Sequence, residues 1–120
     1  MIQTQEIIKK VVIVGRPNVG KSTFFNRLAH KAHAIVHDRP GVTRDWQAAP
    51  ASLGNYHFTL IDTPGLEGFE TPDIKQQIHD QTKNLLKEAD LILFMIDGRE
   101  GILPIDTVLA RWVRQSMCPT

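Results

Sequence analysis

The sequence predicts a doubly wound α/β fold with a mostly parallel sheet and one antiparallel edge strand. Residues 11–14 and 91–96 are continuous apolar runs, typical of strands that are buried on both faces of a parallel sheet. Residues 74–86 and 105–113 instead carry apolar side chains at helical spacing. Strand and helix patterns alternate along the chain, which favours a sheet with helices packed on its faces.

Length and composition fit one globular domain. The chain has 120 residues, 42% of them hydrophobic and 22% charged, which excludes a disordered or fibrous protein. A net charge of +1 gives no indication of nucleic-acid binding, and the single Cys118 excludes an internal disulfide. Residues 1–10 contain no apolar signal-peptide core, and the run 91–96 is too short to span a membrane. We expect a cytoplasmic protein without a membrane partner.

The first half begins with a β-α unit. The strand at 11–14 ends at Gly15, a glycine-rich loop continues to Lys21, and a helix is predicted over 22–31. Residues 32–45 lack periodicity and are predicted to form a loop. The apolar side of the helix consists of Phe24, Phe25, Leu28 and Ala29.

A β-hairpin is predicted next, with strands at 46–53 and 56–61 around the turn-forming pair Gly54-Asn55. Pro50 has no backbone N–H to donate, which indicates that the first strand lies at the sheet edge. The sequence Asp62-Thr63-Pro64-Gly65 ends the second strand.

Two helices and a strand complete the order β-α-β-β-α-β-α. Thr71 as N-cap and Pro72 at the first helical position predict a helix that ends near Glu88. The strand 91–96 follows, and a last helix is predicted over 104–115. The inward residues of these helices are expected to be Ile74, Ile78, Leu85 and Leu86, and then Ile105, Val108, Leu109, Trp112 and Val113.

Residues 15–22 match the phosphate-loop pattern G-x-x-x-x-G-K-S between a strand and a helix. Backbone N–H groups of such a loop form a concave anion site, and the following helix directs its positive end at the same anion. Lys21 would neutralise the β- and γ-phosphates, and Ser22 would offer its hydroxyl to Mg²⁺. The alternative is a glycine turn that merely starts a helix, with Lys21 exposed.

Asp62-x-x-Gly65 follows a strand that should end at the ligand-binding edge of the sheet. Asp62 would hold Mg²⁺ and the Gly65 N–H would reach the γ-phosphate, although the same four residues also suit a plain turn. Thr43, between the two motifs, would supply a switch hydroxyl to Mg²⁺. On chemistry alone other threonines would serve equally, and Thr43 as a solvated loop residue stays open.

The motifs together resemble the first GTPase domain of the Der (EngA) family of bacterial ribosome-assembly GTPases, over nearly the whole chain from Lys10 onward. The resemblance lies in residues 15–23, Pro-Gly-Val-Thr-Arg-Asp at 40–45, Asp-Thr-Pro-Gly at 62–65 and 89–98. It implies a P-loop NTPase (Ras-like) fold and GTP hydrolysis as a switch in large ribosomal subunit assembly. The implied partners are GTP or GDP, Mg²⁺ and the large subunit or its rRNA.

The resemblance also implies roles for single residues. Thr43 becomes the switch Mg²⁺ ligand, and Asn18 a K⁺ ligand whose cation replaces an arginine finger. Leu66 stands where Ras-like enzymes carry a water-orienting glutamine, and Pro64 departs from the usual Der sequence Asp-Thr-Gly-Gly and matches Era. The predicted catalytic residues are Lys21, Thr43 and Gly65, the Mg²⁺ ligands are Ser22, Thr43 and Asp62, and the nucleotide-binding residues are Gly15, Arg16, Pro17, Asn18, Val19, Gly20, Lys21, Ser22, Thr23, Asp62, Thr63, Pro64 and Gly65.

The guanine-reading motif Asn-Lys-x-Asp of such domains does not occur in the sequence. We therefore expect residues 1–120 to be the N-terminal portion of a single GTPase domain, incomplete at its C-terminus. The exposed apolar edge at 91–96 would then favour self-association. One alternative is a non-catalytic phosphate-binding fragment without guanine specificity. Another is a P-loop ATPase or kinase, against which the arrangement of Thr43 and Asp62 argues.

Overall fold

The computed structural model describes residues 9–16, 20–29, 46–63 and 72–120, and the backbone alone of residues 35–37. Its five strands form one sheet in the order β2-β3-β4-β1-β5. The predicted α/β class is confirmed. The elements are β1 (Lys9–Gly15), α1 (Lys21–Leu28), β2 (Ile35–His37), β3 (Trp46–Leu53), β4 (Tyr56–Asp62), α2 (Pro72–Lys87), β5 (Leu91–Met95) and α3 (Pro104–Ser116).

Strand β1 pairs in parallel with β4 on one side and with β5 on the other. Val12 lies opposite Ile61 in β4 and Ile92 in β5. A strand with a neighbour on each side and a helix layer on each face needs apolar side chains in both directions, which explains the unbroken run 11–14. The parallel strands predicted from the two apolar runs are therefore confirmed.

The core has two halves, one on each face of the sheet. Successive β1 side chains point to opposite faces, so Val12 packs toward α2 and α3 while Ile13 packs toward α1. This arrangement confirms the doubly wound layout. The buried residues of the first half are Val12, Val14, Ile61, Leu85, Leu86, Ile92, Leu109, Trp112 and Val113, and those of the second are Val11, Ile13, Phe25, Ala49, Ala51 and Leu60.

Strand β2 corrects one expectation, since 32–45 was predicted to be a loop throughout. Residues 35–37 pair antiparallel with 46–48 of β3, and a three-residue strand is too short to leave a periodic pattern in the sequence. The predicted hairpin is confirmed, with β3 antiparallel to β4. Strand β3 lies between β2 and β4, so the prediction that it forms the antiparallel edge of the sheet is wrong. Pro50 is tolerated there because β2 pairs only with residues 46–48, so its missing N–H costs no ladder hydrogen bond with β2.

The end of α1 and the edge of β5 also differ from the prediction. Helix α1 ends at Leu28, three residues earlier than expected, because Ala29 turns to an extended conformation and bridges to Ala51 of β3. The edge of β5 is also partly covered, since the Ile92 N–H donates to the Pro119 carbonyl at 2.9 Å. Self-association through this edge stays a prediction.

Helices α2 and α3 carry the predicted inward faces. Leu85 and Leu86 of α2 and Leu109 and Trp112 of α3 are buried in one cluster. The start of α2 at Pro72 agrees with the prediction, whereas the expected N-cap Thr71 lies outside the described residues. Within the described ranges, no helix has both the length and the apolar character needed to cross a membrane.

Candidate nucleotide-phosphate site

Three chain segments meet at the carboxyl ends of the parallel strands. Gly15 is the last residue of β1, Lys21 is the first residue of α1, and Asp62 is the last residue of β4. Parallel pairing places Asp62 opposite Ile13 of β1, so the strand that leads into the phosphate loop lies beside the one that carries the acid. Ligands of open α/β sheets bind at this edge.

Lys21 and Asp62 form a buried ion pair. The Lys21 Nζ donates to Asp62 Oδ1 at 3.0 Å and to the Thr63 carbonyl at 2.9 Å. Lys21 is 7% exposed and Asp62 is 8% exposed. The alternative interpretation, a glycine turn with an exposed lysine, is therefore wrong about this side chain. Burying a charge is costly unless it is paired, so the two residues depend on each other when no ligand is bound.

Thr63 fastens the end of β4 to β1. Its hydroxyl donates to the Ile13 carbonyl at 2.8 Å, and its backbone N–H donates to the same oxygen at 3.3 Å. The sequence predicts a nucleotide contact at Thr63, but its side chain is used inside the protein and is 2% exposed. These hydrogen bonds hold Asp62 in place beside Lys21.

Gly20 makes the turn from the loop into α1. Its backbone has φ of +103° and ψ of 9°, a left-handed conformation that residues other than glycine rarely adopt. Its carbonyl accepts the hydrogen bond of the Phe24 N–H at 2.9 Å, which opens the helix. Among the described residues no side chain caps α1, which leaves its first N–H groups available to an anionic ligand. Ser22 and Thr23 lie exposed in this first turn.

Arg16, the next residue after β1, is also buried. Its Nε donates to Asp106 Oδ1 at 3.0 Å and its Nη1 donates to Glu100 Oε1 at 2.8 Å. The hydrogen bond to Glu100 raises the pKa of the Arg16 guanidinium, with burial acting in the opposite direction. Sequence analysis missed both carboxylates, because they lie 84 and 90 residues away along the chain.

Part of the predicted site lies outside the described residues. This applies to the phosphate-loop positions Pro17, Asn18 and Val19, and to Thr43, Pro64, Gly65 and Leu66. The K⁺ ligand role of Asn18, the switch role of Thr43 and the γ-phosphate contact of Gly65 stay predictions. The described members of the site are Gly15, Arg16, Gly20, Lys21, Ser22, Thr23, Asp62 and Thr63.

The described donors fit Mg²⁺ that is shared with phosphates. Mg²⁺ prefers oxygen ligands and is often held by one or two carboxylates together with substrate phosphates. Asp62 supplies a carboxylate at the site, and Ser22 supplies a hydroxyl in the first turn of α1. Among the residues described, no three His, Cys, Asp or Glu side chains cluster into a closed metal site.

Comparison with known proteins agrees with this geometry. The model of the 50S ribosome-binding GTPase family matches residues 10–120. The chain belongs to this family. GTPase Der of Rickettsia bellii (strain RML369-C) is 54% identical over 115 residues, which are 93% of this chain and 25% of that protein. The chain thus spans about a quarter of the length of the curated relatives it matches, and the predicted resemblance to Der is confirmed.

Two solved structures of Era are also similar to this chain. A variant of Era from Aquifex aeolicus bound to GDP.AlF4⁻ has a TM-score of 0.72 and 34% identity, covering 93% of this chain and 38% of that one. Era in complex with MgGDPNP and a segment of 16S ribosomal RNA has a TM-score of 0.71 and 34% identity, with the same two coverages. The P-loop GTPase fold predicted from the sequence is confirmed.

Proposed function

We propose that this chain binds the phosphates of a guanine nucleotide together with Mg²⁺, and that its protein hydrolyses GTP as a switch in large ribosomal subunit assembly. The observation that carries the proposal is the buried pair of Lys21 and Asp62 at the sheet edge where the phosphate loop begins. The family description supports the large ribosomal subunit, and the name of GTPase Der and the GDP.AlF4⁻ bound to Era support the nucleotide.

The Lys21–Asp62 pair suits a site that takes up an anion and a cation together. Bound phosphates would draw the Lys21 ammonium away from Asp62, and the released carboxylate would then face Mg²⁺. The two charges that neutralise each other in the free protein would each find an opposite charge in the nucleotide complex. Binding would therefore exchange one set of pairings for another, without leaving a buried charge alone.

Each described residue has a separate task in this proposal. Lys21 would neutralise the β- and γ-phosphates, while the Gly20 turn and the uncapped start of α1 would direct N–H groups at them. Ser22 and Asp62 would hold Mg²⁺, which supplies positive charge to the phosphate oxygens when bound. Thr43, Gly65 and a K⁺ ion at Asn18 complete the proposal as predicted from the sequence. Hydrolysis would follow in-line attack of water on the γ-phosphorus.

The alternative is phosphate binding without guanine specificity or turnover. It follows from the absence of Asn-Lys-x-Asp in these 120 residues, and it differs from the main proposal in base selectivity. The contact with the large ribosomal subunit or its rRNA belongs to the main proposal. The cytoplasmic location stays a prediction.

Titration with fluorescent GDP and Mg²⁺ tests the proposal, with unlabelled GDP, ADP and pyrophosphate as competitors. We expect GDP to compete best and Lys21→Ala to weaken binding at least tenfold, because one phosphate-neutralising charge is lost. Lys10→Ala is the matched control, since it removes a lysine from an exposed ion pair. Equal competition by all three would favour the alternative, and unchanged binding by Lys21→Ala would contradict the proposed site.

A further inference from the structure

The Arg16 side chain contacts a part of the fold that lies outside the phosphate motifs. Sequence motifs alone place Arg16 among the nucleotide contacts, because it is the second residue of the loop. In the structure its side chain is only 10% exposed, and its guanidinium lies against two carboxylates at the start of α3 and in the turn before it. The Nη2 atom is buried as well, with no hydrogen-bond partner among the described residues.

Asp106 is held in place by a helix-capping hydrogen bond as well as by Arg16. It is the third residue of α3 and is 1% exposed. Its Oδ2 accepts the Leu103 N–H at 2.8 Å and so caps the helix, which leaves Oδ1 for the Arg16 Nε. A buried carboxylate with one oxygen on the cap and the other on the guanidinium holds that guanidinium in one orientation.

Glu100 is fixed by the turn that follows β5. Asp97 Oδ1 accepts the Arg99 N–H at 2.8 Å and the Glu100 N–H at 3.4 Å, and the Gly101 N–H donates to the Asp97 carbonyl at 3.0 Å. This turn lies at the carboxyl end of β5, the parallel neighbour of β1, and therefore beside the residue where the phosphate loop begins. Glu100 itself is 58% exposed, so its side chain forms the outer part of the contact.

We propose that Arg16 is a positioning residue, which Asp106 and Glu100 hold so that the start of the phosphate loop, at Gly15 and Arg16, is fixed against the start of α3. The inference rests on the proposed function and names what holds the start of the loop in place. A loop that is already held in the bound conformation loses less conformational freedom when phosphates bind. Loss of the Glu100 contact therefore weakens nucleotide affinity, while hydrolysis at saturating GTP stays unchanged.

If Arg16 contacted phosphate directly, substitutions of the two carboxylates would have the opposite effect on nucleotide affinity. If Arg16 contacted phosphate itself, Glu100→Gln or Asp106→Asn would release its charge and would leave affinity equal or higher. If Arg16 acts by position, the same substitutions weaken binding although the arginine is still present. The two explanations therefore differ in the sign of the change in affinity, and Glu100→Gln separates them by changing a side chain that is itself 58% exposed.

The test measures displacement of fluorescent GDP by GDP and by pyrophosphate in the 120-residue chain. We expect about tenfold weaker binding for Arg16→Gln and about threefold for Glu100→Gln, within the range of energies seen for coupled residues. The double variant should bind no more weakly than Arg16→Gln alone, and Arg16→Lys should recover part of the loss. Arg111→Gln, an exposed arginine of α3, is the control. Urea unfolding of each variant shows that it is folded.

The outcomes separate the two proposals. If the wild-type chain binds neither GDP nor pyrophosphate, the proposed function and this inference both fail. If it binds them and Glu100→Gln binds equally well or better, the inference alone is overturned. Additive losses in the double variant, or a fall in hydrolysis at saturating GTP for Glu100→Gln, would also overturn it.

Discussion

The substitution Asp62→Asn in the nucleotide-free protein tests the buried ion pair. It removes a carboxylate that lies 3.0 Å from the Lys21 ammonium, and both side chains are at most 10% exposed. Removing one partner of a buried pair costs about 3–5 kcal/mol. Because Lys21 keeps its hydrogen bond to the Thr63 carbonyl, we expect the lower end, about 3 kcal/mol. For 120 residues this corresponds to a fall in Tm of roughly 12 °C.

The assay is urea unfolding at pH 7 after removal of nucleotide and Mg²⁺. The matched control is Glu88→Gln, the same change from carboxylate to amide in the exposed pair with Lys10. We expect this control to cost less than about 1 kcal/mol, as is usual for surface ion pairs. Adding Lys21→Met to Asp62→Asn should restore part of the stability, because it removes the buried charge that has lost its partner.

Two results would refute this reasoning. A loss below about 0.5 kcal/mol for Asp62→Asn, the scale of an ordinary surface substitution, would mean that Lys21 and Asp62 are not paired in the free protein. A double variant that is less stable than both single variants would mean that the two side chains stabilise the fold separately. In either case the exchange of pairings on nucleotide binding would have no basis.

Two further predictions concern the loop and pH. Gly20→Ala should cost about 1–3 kcal/mol in urea unfolding through its backbone conformation and should also weaken GDP binding, whereas Gly54→Ala, at φ of +61° in the hairpin turn, should strain the backbone without changing affinity. The pKa of His79 is lowered below 6.5, mainly by burial and secondly by the positive charge of the nearby Lys83. The unfolded chain therefore binds the proton first, so stability should fall as pH drops below about 6.5 in pH-dependent urea unfolding. This slope should decrease in His79→Gln but not in His57→Gln, a change of an exposed histidine.

The fold class followed from local patterns that the structure reproduces. The run at 11–14 could be recognised as a strand buried on both faces because its apolar character is continuous in the sequence itself. The hairpin around Gly54-Asn55 and the inward face of α3 depend equally on neighbouring residues. Strand β2 could not be found in this way, because its three residues become a strand only through pairing with β3.

The site shows the same division. The phosphate-loop motif that contains Lys21 and the acid Asp62 were both found from spacing and chemical type. Their ion pair was not, because it joins residues 41 positions apart whose distance depends on the register of β1 and β4. The contact of Arg16 with Asp106 was missed for the same reason, and only the acid at the third position of α3 gave a local signal, that of a helix cap.

The sequence by itself determined the strands and helices other than β2, the phosphate-loop residues and the family, because each depends on residues that lie close together in the chain. The tertiary structure decided which charges are paired and buried. Lys21 is paired only because β4 places Asp62 beside it, and Arg16 is paired only because α3 places Asp106 beside it. Burial and electrostatic pairing are properties of distance in space, and that distance is set by how the strands and helices pack.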